Sequence, residues 1–222
     1  MSAISERDLI NKLDKILKKQ FGTNLAFHEF SAGYGIADLV FAPDFSFKKG
    51  MLKRKPITDF SSLTLLLTLS ENISYSEDDI VNLFPQFTRR GIHQLLNTLT
   101  MNQYLIKTSP HSYCKIVPNS PLNPIKKIIA IEAKLRDHRN GLIQARRYQY
   151  FADESYLAIL KEAEKNINGD EFNKHNIGLI LFDTSSNTIE IVRPKPTNSQ
   201  FRYSVGTFAK EMMLNQFMNF AS

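Results

Sequence analysis

The chain is poor in the residues that mark several classes of function. Its single cysteine, Cys114, permits neither an internal disulfide nor a thiolate zinc cluster, and its five histidines are scattered without metal-ligand spacing. Any bound metal would therefore take oxygen ligands. No window holds the roughly 18 uninterrupted apolar residues that span a bilayer. Glu6, Arg7 and Asp8 break any signal-peptide hydrophobic region at the N-terminus, so the expected location is cytoplasmic, with no membrane partner. A glycine-rich loop of Walker type is absent, which argues against energy coupling. Ser and His occur without a triad-like motif for nucleophilic catalysis. No internal repeat or low-complexity tract stands out.

What is present suits a folded protein that meets a polyanion. With 222 residues, 42% of them hydrophobic, the chain can bury a substantial core as one large domain or two small ones. Its formal charge of +6 and pI near 9.3 favour phosphate-rich partners, because clustered Lys and Arg displace counterions. Lys48, Lys49, Lys53, Arg54 and Lys55 form one basic run. Lys126, Lys127, Lys134, Arg136, Arg139, Arg146 and Arg147 form a second, looser group. Either run taken alone also reads as a solvated face.

Hydrophobic periodicity divides the chain. Residues 3–20 read as an amphipathic helix with Leu9, Ile10, Leu13, Ile16 and Leu17 as its stripe and Gly22 as its stop. Glu6, one turn before Leu9 and Ile10, either extends that stripe or serves the helix dipole. Strands are expected near 25–31 and 36–41 around the turn Ala32-Gly33-Tyr34-Gly35. From about 56 to 118 the pattern changes to helices at 61–70, 76–83 and 88–103, followed by a hairpin of 104–106 and 113–117. This order resembles a winged helix-turn-helix. In its third helix Arg89, Arg90, His93, Gln94 and Asn97 offer an outer, polar and basic face of the kind that reads DNA, while Ile92, Leu95, Leu96 and Leu99 supply a core. The competing reading is a helical insertion for protein contacts. Pro118, Pro121 and Pro124 then mark a return to the first domain, with 141–165 mostly helical, strands at 177–182 and 188–192, and a last helix at 208–220. The expected division is 1–54 with 119–222 as an α/β core and 55–118 as the inserted module.

The segment Ile128-Ile129-Ala130-Ile131-Glu132-Ala133-Lys134-Leu135 is strand-like and apolar, yet carries Glu132 and Lys134 two residues apart and hence on one face. Buried charges must pair or hold a metal, so the two are either a satisfied salt bridge or part of a reactive site. A second carboxylate in strand context is Asp38, in Gly35-Ile36-Ala37-Asp38-Leu39-Val40-Phe41. Phosphodiester hydrolysis needs an activated water and neutralised charge. Carboxylates holding Mg²⁺ can supply both, since that ion takes one or two of them and keeps several waters. Asp38 and Glu132 suit such ligands, with the Ala133 carbonyl as another. Lys134 suits orienting the water or balancing charge. Asp183 reads as a turn residue rather than a metal ligand, while Asp137 and His138 follow the charged strand closely and are explained equally well by a surface loop.

Asp38 followed by Glu132-Ala133-Lys134 resembles the signature of the PD-(D/E)xK, or restriction-endonuclease-like, nuclease superfamily, with Ala37 where the family name has proline. The resemblance covers roughly 3–54 and 119–193. Gln144-Ala145-Arg146-Arg147-Tyr148 is similar to the QxxxY element of one branch, its two key side chains on one helical face; ordinary packing is the competing account of both. The resemblance implies a mixed sheet flanked by helices and a Mg²⁺-dependent deoxyribonuclease, with Mn²⁺ as a substitute ion and an endonuclease as the expected type. It implies Asp38, Glu132, Lys134 and Gln144 as catalytic residues, with Glu6 joining Asp38 and Glu132 at the metal. Double-strand cleavage needs two active sites, which calls for a homodimer or a partner subunit. The alternatives are a catalytically silent DNA-binding or assembly protein on a nuclease-like scaffold, and action on RNA.

Overall fold

Ser5 accepts a hydrogen bond from the Asp8 amide while the Asp8 carboxylate accepts the Ser5 amide, and this reciprocal cap opens helix α1 (Glu6–Gln20). Leu9, Leu13 and Leu17 lie one turn apart along it and are fully buried. The computed structural model describes residues 4–43, 45, 54–118, 124–196 and 203–221. After α1 come the strands β1 (Ala26–Ser31) and β2 (Ile36–Phe41), then α2 (Phe60–Thr68), β3 (Ser74–Ser76), α3 (Glu77–Leu83) and α4 (Arg89–Met101). The hairpin strands β4 (Leu105–Ser109) and β5 (Ser112–Lys115) precede β6 (Ile129–Lys134), α5 (His138–Tyr148) and β7 (Glu154–Leu160). A short 3-10 helix (Lys161–Asn166), α6 (Gly169–His175), β8 (Gly178–Asp183), β9 (Thr188–Val192) and α7 (Tyr203–Ala221) complete the chain.

Two compact units result. The first, 1–46 with 125–209, is α/β: a mixed six-stranded sheet in the order β1-β2-β6-β7-β8-β9, flanked by helices. β6, β7 and β8 run parallel, while β1, β2 and β9 join antiparallel at the edges. Alternation sorts the two faces. Leu39, Phe41, Ile129, Ile131, Ala133, Tyr156, Ala158, Ile180 and Phe182 point to the α1 side and share one core with Leu9, Leu13 and Leu17. On the other side Leu157 meets Leu142 and Ala145 of α5 and Phe172 of α6. A chain of this length buries its parallel strands on both faces, so they lose the polar/apolar alternation of a surface strand.

That loss explains the main difference from the sequence reading. The stretch 141–165 is not mostly helical: α5 ends at Tyr148, and β7 follows as a central strand. Ser155, Tyr156, Leu157, Ala158, Ile159 and Leu160 are all buried, and such a run has no period to separate it from a buried helix. β3 and α6 also went unread, each being only a few residues long.

The second unit, 47–124 with 210–222, holds α2, α3 and α4 and a three-stranded antiparallel sheet in the order β3-β5-β4. Side chains cap each helix start: Asp59 for α2, Ser76 with Asp79 for α3, Thr88 for α4. Lys115 is fully buried and donates from Nζ to the carbonyls of Leu66 and Leu69, which closes the C-terminal end of α2. Glu211, in the part of α7 that belongs to this unit, accepts the Ile57 amide at 2.8 Å. No helix among the described residues is long and apolar enough to cross a membrane.

Candidate active site

β2 and β6 pair with Phe41 opposite Ile129, Val40 opposite Ala130 and Leu39 opposite Ile131. One step further on the same register Asp38 faces Glu132, and both carboxylates leave the sheet on its α5 side. There the Asp38 side chain continues the ladder in place of a backbone carbonyl, its Oδ2 accepting the Ala133 amide at 2.7 Å. Lys134, on the same face of β6, sets its Nζ 2.6 Å from Glu132 Oε1. From α5 the Tyr148 hydroxyl reaches Glu132 Oε2 at 2.5 Å and the Ile36 carbonyl at 2.6 Å. Asp38, Glu132 and Lys134 therefore converge, and Tyr148 clamps the group from above. Gly141 lets α5 come this close, because a Cβ there would lie 2.5 Å from Leu157 Cδ1 and 3.1 Å from Lys134 Cγ.

Burial governs the electrostatics. Glu132 is 1% exposed and Lys134 18%. Desolvation pushes the Glu132 carboxyl above its usual range, against the bonds from Lys134 and Tyr148 and with help from the Asp38 charge. Asp38 moves up for the same first reason, opposed by the Ala133 amide and Lys134 and reinforced by Glu6 and Glu29. For Lys134 burial works downward, but the bond and charge of Glu132, with Asp38 and Glu6 behind them, outweigh it and raise the ammonium. All three groups hold protons more tightly than in water. Tyr148 is also pushed up, by burial and by Glu132. Its hydroxyl has one hydrogen and two close acceptors.

The remaining residues sit around this group at different distances. Gln144, one turn before Tyr148 on α5, is half-buried. Glu6 is exposed at the start of α1, so it does not continue the inward stripe, yet its charge acts on Asp38 and Lys134. Glu29 was not foreseen. It lies in β1 between the pairs His28–Leu39 and Phe30–Ala37, opposite Asp38, and takes a left-handed backbone with φ of 50°. Its charge adds to the field on Asp38. Only the strand register brings it there, and no local motif announces it. Asp137 caps α5 through the Asn140 amide, and Asp183 accepts the Ser185 and Ser186 amides in a turn.

No family model, curated protein or solved structure matches this chain.

The donor set suits a hard cation. Asp38 and Glu132 offer carboxylate oxygens side by side, and one or two carboxylates plus water are enough for Mg²⁺. Among the described residues no group of three or more His, Cys, Asp or Glu side chains is gathered closely enough to hold a metal ion, and Glu6 does not join the pair at ligand distance. Glu132 would have to exchange its Lys134 and Tyr148 bonds for such an ion.

In the second unit Arg89, Arg90, His93 and Gln94 are exposed on α4 and Asn97 is half-buried, while Ile92, Leu96 and Leu99 are buried. Two of the outer side chains already face acids of α3: Arg89 lies 2.5 Å from Asp78, and His93 3.5 Å from Glu77. Arg90 and Gln94 keep their polar groups on the outer face. Of the first basic run, Lys48, Lys49 and Lys53 lie outside the described residues. Arg54 stacks its guanidinium over the Tyr104 ring at 4.9 Å.

Proposed function

We propose that the protein is a metal-dependent nuclease that hydrolyses DNA phosphodiester bonds, with a restriction-endonuclease-like first unit and a winged helix-turn-helix as the second. The observation that carries the reading is the convergence of Asp38, Glu132 and Lys134 on one face of adjacent strands in the sheet. A salt bridge alone needs no second carboxylate, and the Asp38 charge at Glu132 costs stability that a purely structural pair would avoid. Asp38 and Glu132 would hold the cation, with Glu6 adding negative charge. A bound Mg²⁺ supplies charge neutralisation for the phosphate and a water of lowered pKa. Lys134, released from Glu132, directs its ammonium at the attacking water or at the phosphate oxygens. Gln144, one turn from Tyr148, would donate an amide hydrogen to the phosphate. α4, with Arg90 and Gln94 outermost, serves as the DNA-reading helix, and β4–β5 as the wing.

The test is incubation of the protein with plasmid, linear and single-stranded DNA and Mg²⁺ or Mn²⁺, beside Lys134→Ala and Glu132→Gln. Cleavage by wild type and its loss in both variants is the expected outcome. Equal cleavage by wild type and Lys134→Ala removes the mechanism. A second reading, a DNA-binding or assembly protein on the same scaffold, draws on the fact that both Glu132 oxygens are already taken. Metal-independent DNA binding with no cleavage favours it.

A further inference from the structure

Beside the carboxylate group, on the first unit, two tyrosines stack in the open. Their ring centroids are 4.8 Å apart and their planes 18° from parallel. Tyr34 is 37% exposed and Tyr150 56%. Both sit on anchored backbone. Tyr34 occupies the β1–β2 turn between Gly33 and Gly35, which take φ of 91° and 104°, and that turn is held by the Tyr148 bond to Ile36. Tyr150 follows Gln149, whose amide donates to the carbonyls of His175 and Asn176. The outer side of α5 adjoining Tyr150 forms an open depression of about 470 Å³ lined by Ile143, Arg146, Arg147, Gln149 and Tyr150. Among the described residues neither Arg146 nor Arg147 forms an ion pair with an acid.

We propose that the Tyr34–Tyr150 stack, flanked by Arg146 and Arg147, is a platform for an unpaired nucleotide of DNA, whose base extends the stack and whose phosphates meet the two guanidinium groups. The chemistry selects that occupant. Aromatic faces accept any base in a sequence-tolerant way, and cations beside them track the backbone. A duplex keeps its base faces stacked on one another, so it can engage the arginines and not the rings. Two ordered side chains on fixed turns also lose little further freedom on binding. Tyr148 connects the platform to the chemistry, since it lies two residues before Tyr150 and bonds both Glu132 and the residue two beyond Tyr34. The inference rests on the DNA-cleaving reading and assigns it a substrate with single-stranded character at or beside the cut.

The test measures binding in EDTA, where nothing is cut, of oligothymidylate and of a covalently closed duplex. Tyr150→Ala should weaken oligothymidylate binding by about tenfold, the loss expected of one stacked base, and leave duplex binding within about twofold. Arg146→Gln with Arg147→Gln should flatten the salt dependence of single-strand binding by roughly 0.7 for each arginine. The chain has no tryptophan, so Tyr150→Trp installs a lone reporter whose emission oligothymidylate should quench and closed duplex should not. Unchanged binding by Tyr150→Ala together with no quench of Tyr150→Trp overturns the platform, as does equal loss on both nucleic acids. Tyr150-dependent binding without any Mg²⁺-supported cleavage keeps the platform and removes the nuclease reading. Cleavage of DNA with no dependence on Tyr150 in either assay does the reverse.

Discussion

Replacing Lys134 by methionine isolates what the buried ion pair does. Methionine keeps most of the stem that packs against Gly141 and removes the ammonium 2.6 Å from Glu132 Oε1. Glu132, 1% exposed, then has Tyr148 as its remaining donor. Breaking a buried pair costs about 3–5 kcal/mol if the orphaned charge stays ionised. A carboxylate can escape that cost by taking a proton, and its pKa is already raised above the unfolded value by burial. The sign follows from linkage. A folded-state pKa above the unfolded one gives stability that is fully present below the unfolded value and is lost as pH rises through the folded value. In Lys134→Met the folded pKa of Glu132 climbs further, so the variant should lose stability relative to wild type as pH rises from 5 to 8.

The magnitude can be bounded. At pH 5, the low end of that range, the raised pKa favours the protonated acid, and the variant should lack little more than one hydrogen bond, about 1 kcal/mol. At pH 8 the loss should reach about 3 kcal/mol, so about 2 kcal/mol of it depends on pH. With an m-value of about 2 kcal/mol/M, urea midpoints followed by far-UV circular dichroism should differ from wild type by about 0.5 M at pH 5 and about 1.5 M at pH 8. Adding Glu132→Gln to Lys134→Met removes the titrating group, so the pH dependence of the difference should vanish and most of the stability at pH 8 return. A pH-independent cost in Lys134→Met, or a double variant as pH-sensitive as the single one, would refute the reasoning.

Two further substitutions read the same site. Tyr148→Phe removes the hydroxyl that bonds both Glu132 and the Ile36 carbonyl, and should cost about 1–2 kcal/mol in urea unfolding while sharpening the stability loss as pH rises; a neutral substitution would mean the two short contacts carry no free energy. Gly141→Ala sets a gain in helix propensity of about 1 kcal/mol against overpacking of about 1–3 kcal/mol, because its Cβ would meet Leu157, itself fully buried, at 2.5 Å. Net destabilisation near 1 kcal/mol is expected, with a larger proportional loss of any Mg²⁺-supported cleavage because Lys134 is displaced. A stabilised Gly141→Ala would show that α5 can withdraw from the sheet freely.

The legible and illegible parts of the chain divide on physical grounds. β9 was read at its observed bounds, and β2 likewise, because edge and near-edge segments keep turn residues at both ends and, in β9, a polar/apolar alternation. α1, α3 and α4 announced themselves through their periodicity and caps. β7 did not, since a strand covered on both faces by helices has the composition of a buried helix. Asp38, Glu132 and Lys134 could be picked out as charges in apolar strands. Their meeting could not, because it depends on a register between strands separated by the 47–124 segment of the second unit. Glu29 depends on that register alone. Tyr148 was visible as one element of a spacing, but its bonds to Glu132 and Ile36 follow from the depth to which Gly141 lets α5 descend. The acids facing Arg89 and His93 are in plain view in the sequence, and only the fold sets them against α4.

The same register explains how the site tolerates so long an interruption between its two carboxylates. A slip of one residue between β2 and β6 would carry Asp38 to the α1 face and push Leu39 and Phe41 out of the core, so burial fixes the alignment whatever joins the strands. Phe41 and Ile129 are paired, which leaves the ends of β2 and β6 close enough for a short loop in place of the second unit. That unit also includes the part of α7 from Lys210 onward, where Glu211, Met213 and Leu214 are buried and Glu211 accepts the Ile57 amide. Trimming should therefore succeed only in pairs. Joining Pro43 to Lys126 through a glycine-containing turn and ending the chain at Ala209 should give a soluble unit that unfolds cooperatively, and Lys134→Met should retain its pH-dependent cost within it. Joining the strands while keeping 210–222 exposes an apolar helix end and an unpartnered buried-type acid, and should yield a less stable, aggregating protein. If the doubly trimmed chain fails to fold, or the singly trimmed chain matches it in stability, the division of α7 between the two units does not describe how the protein holds itself together.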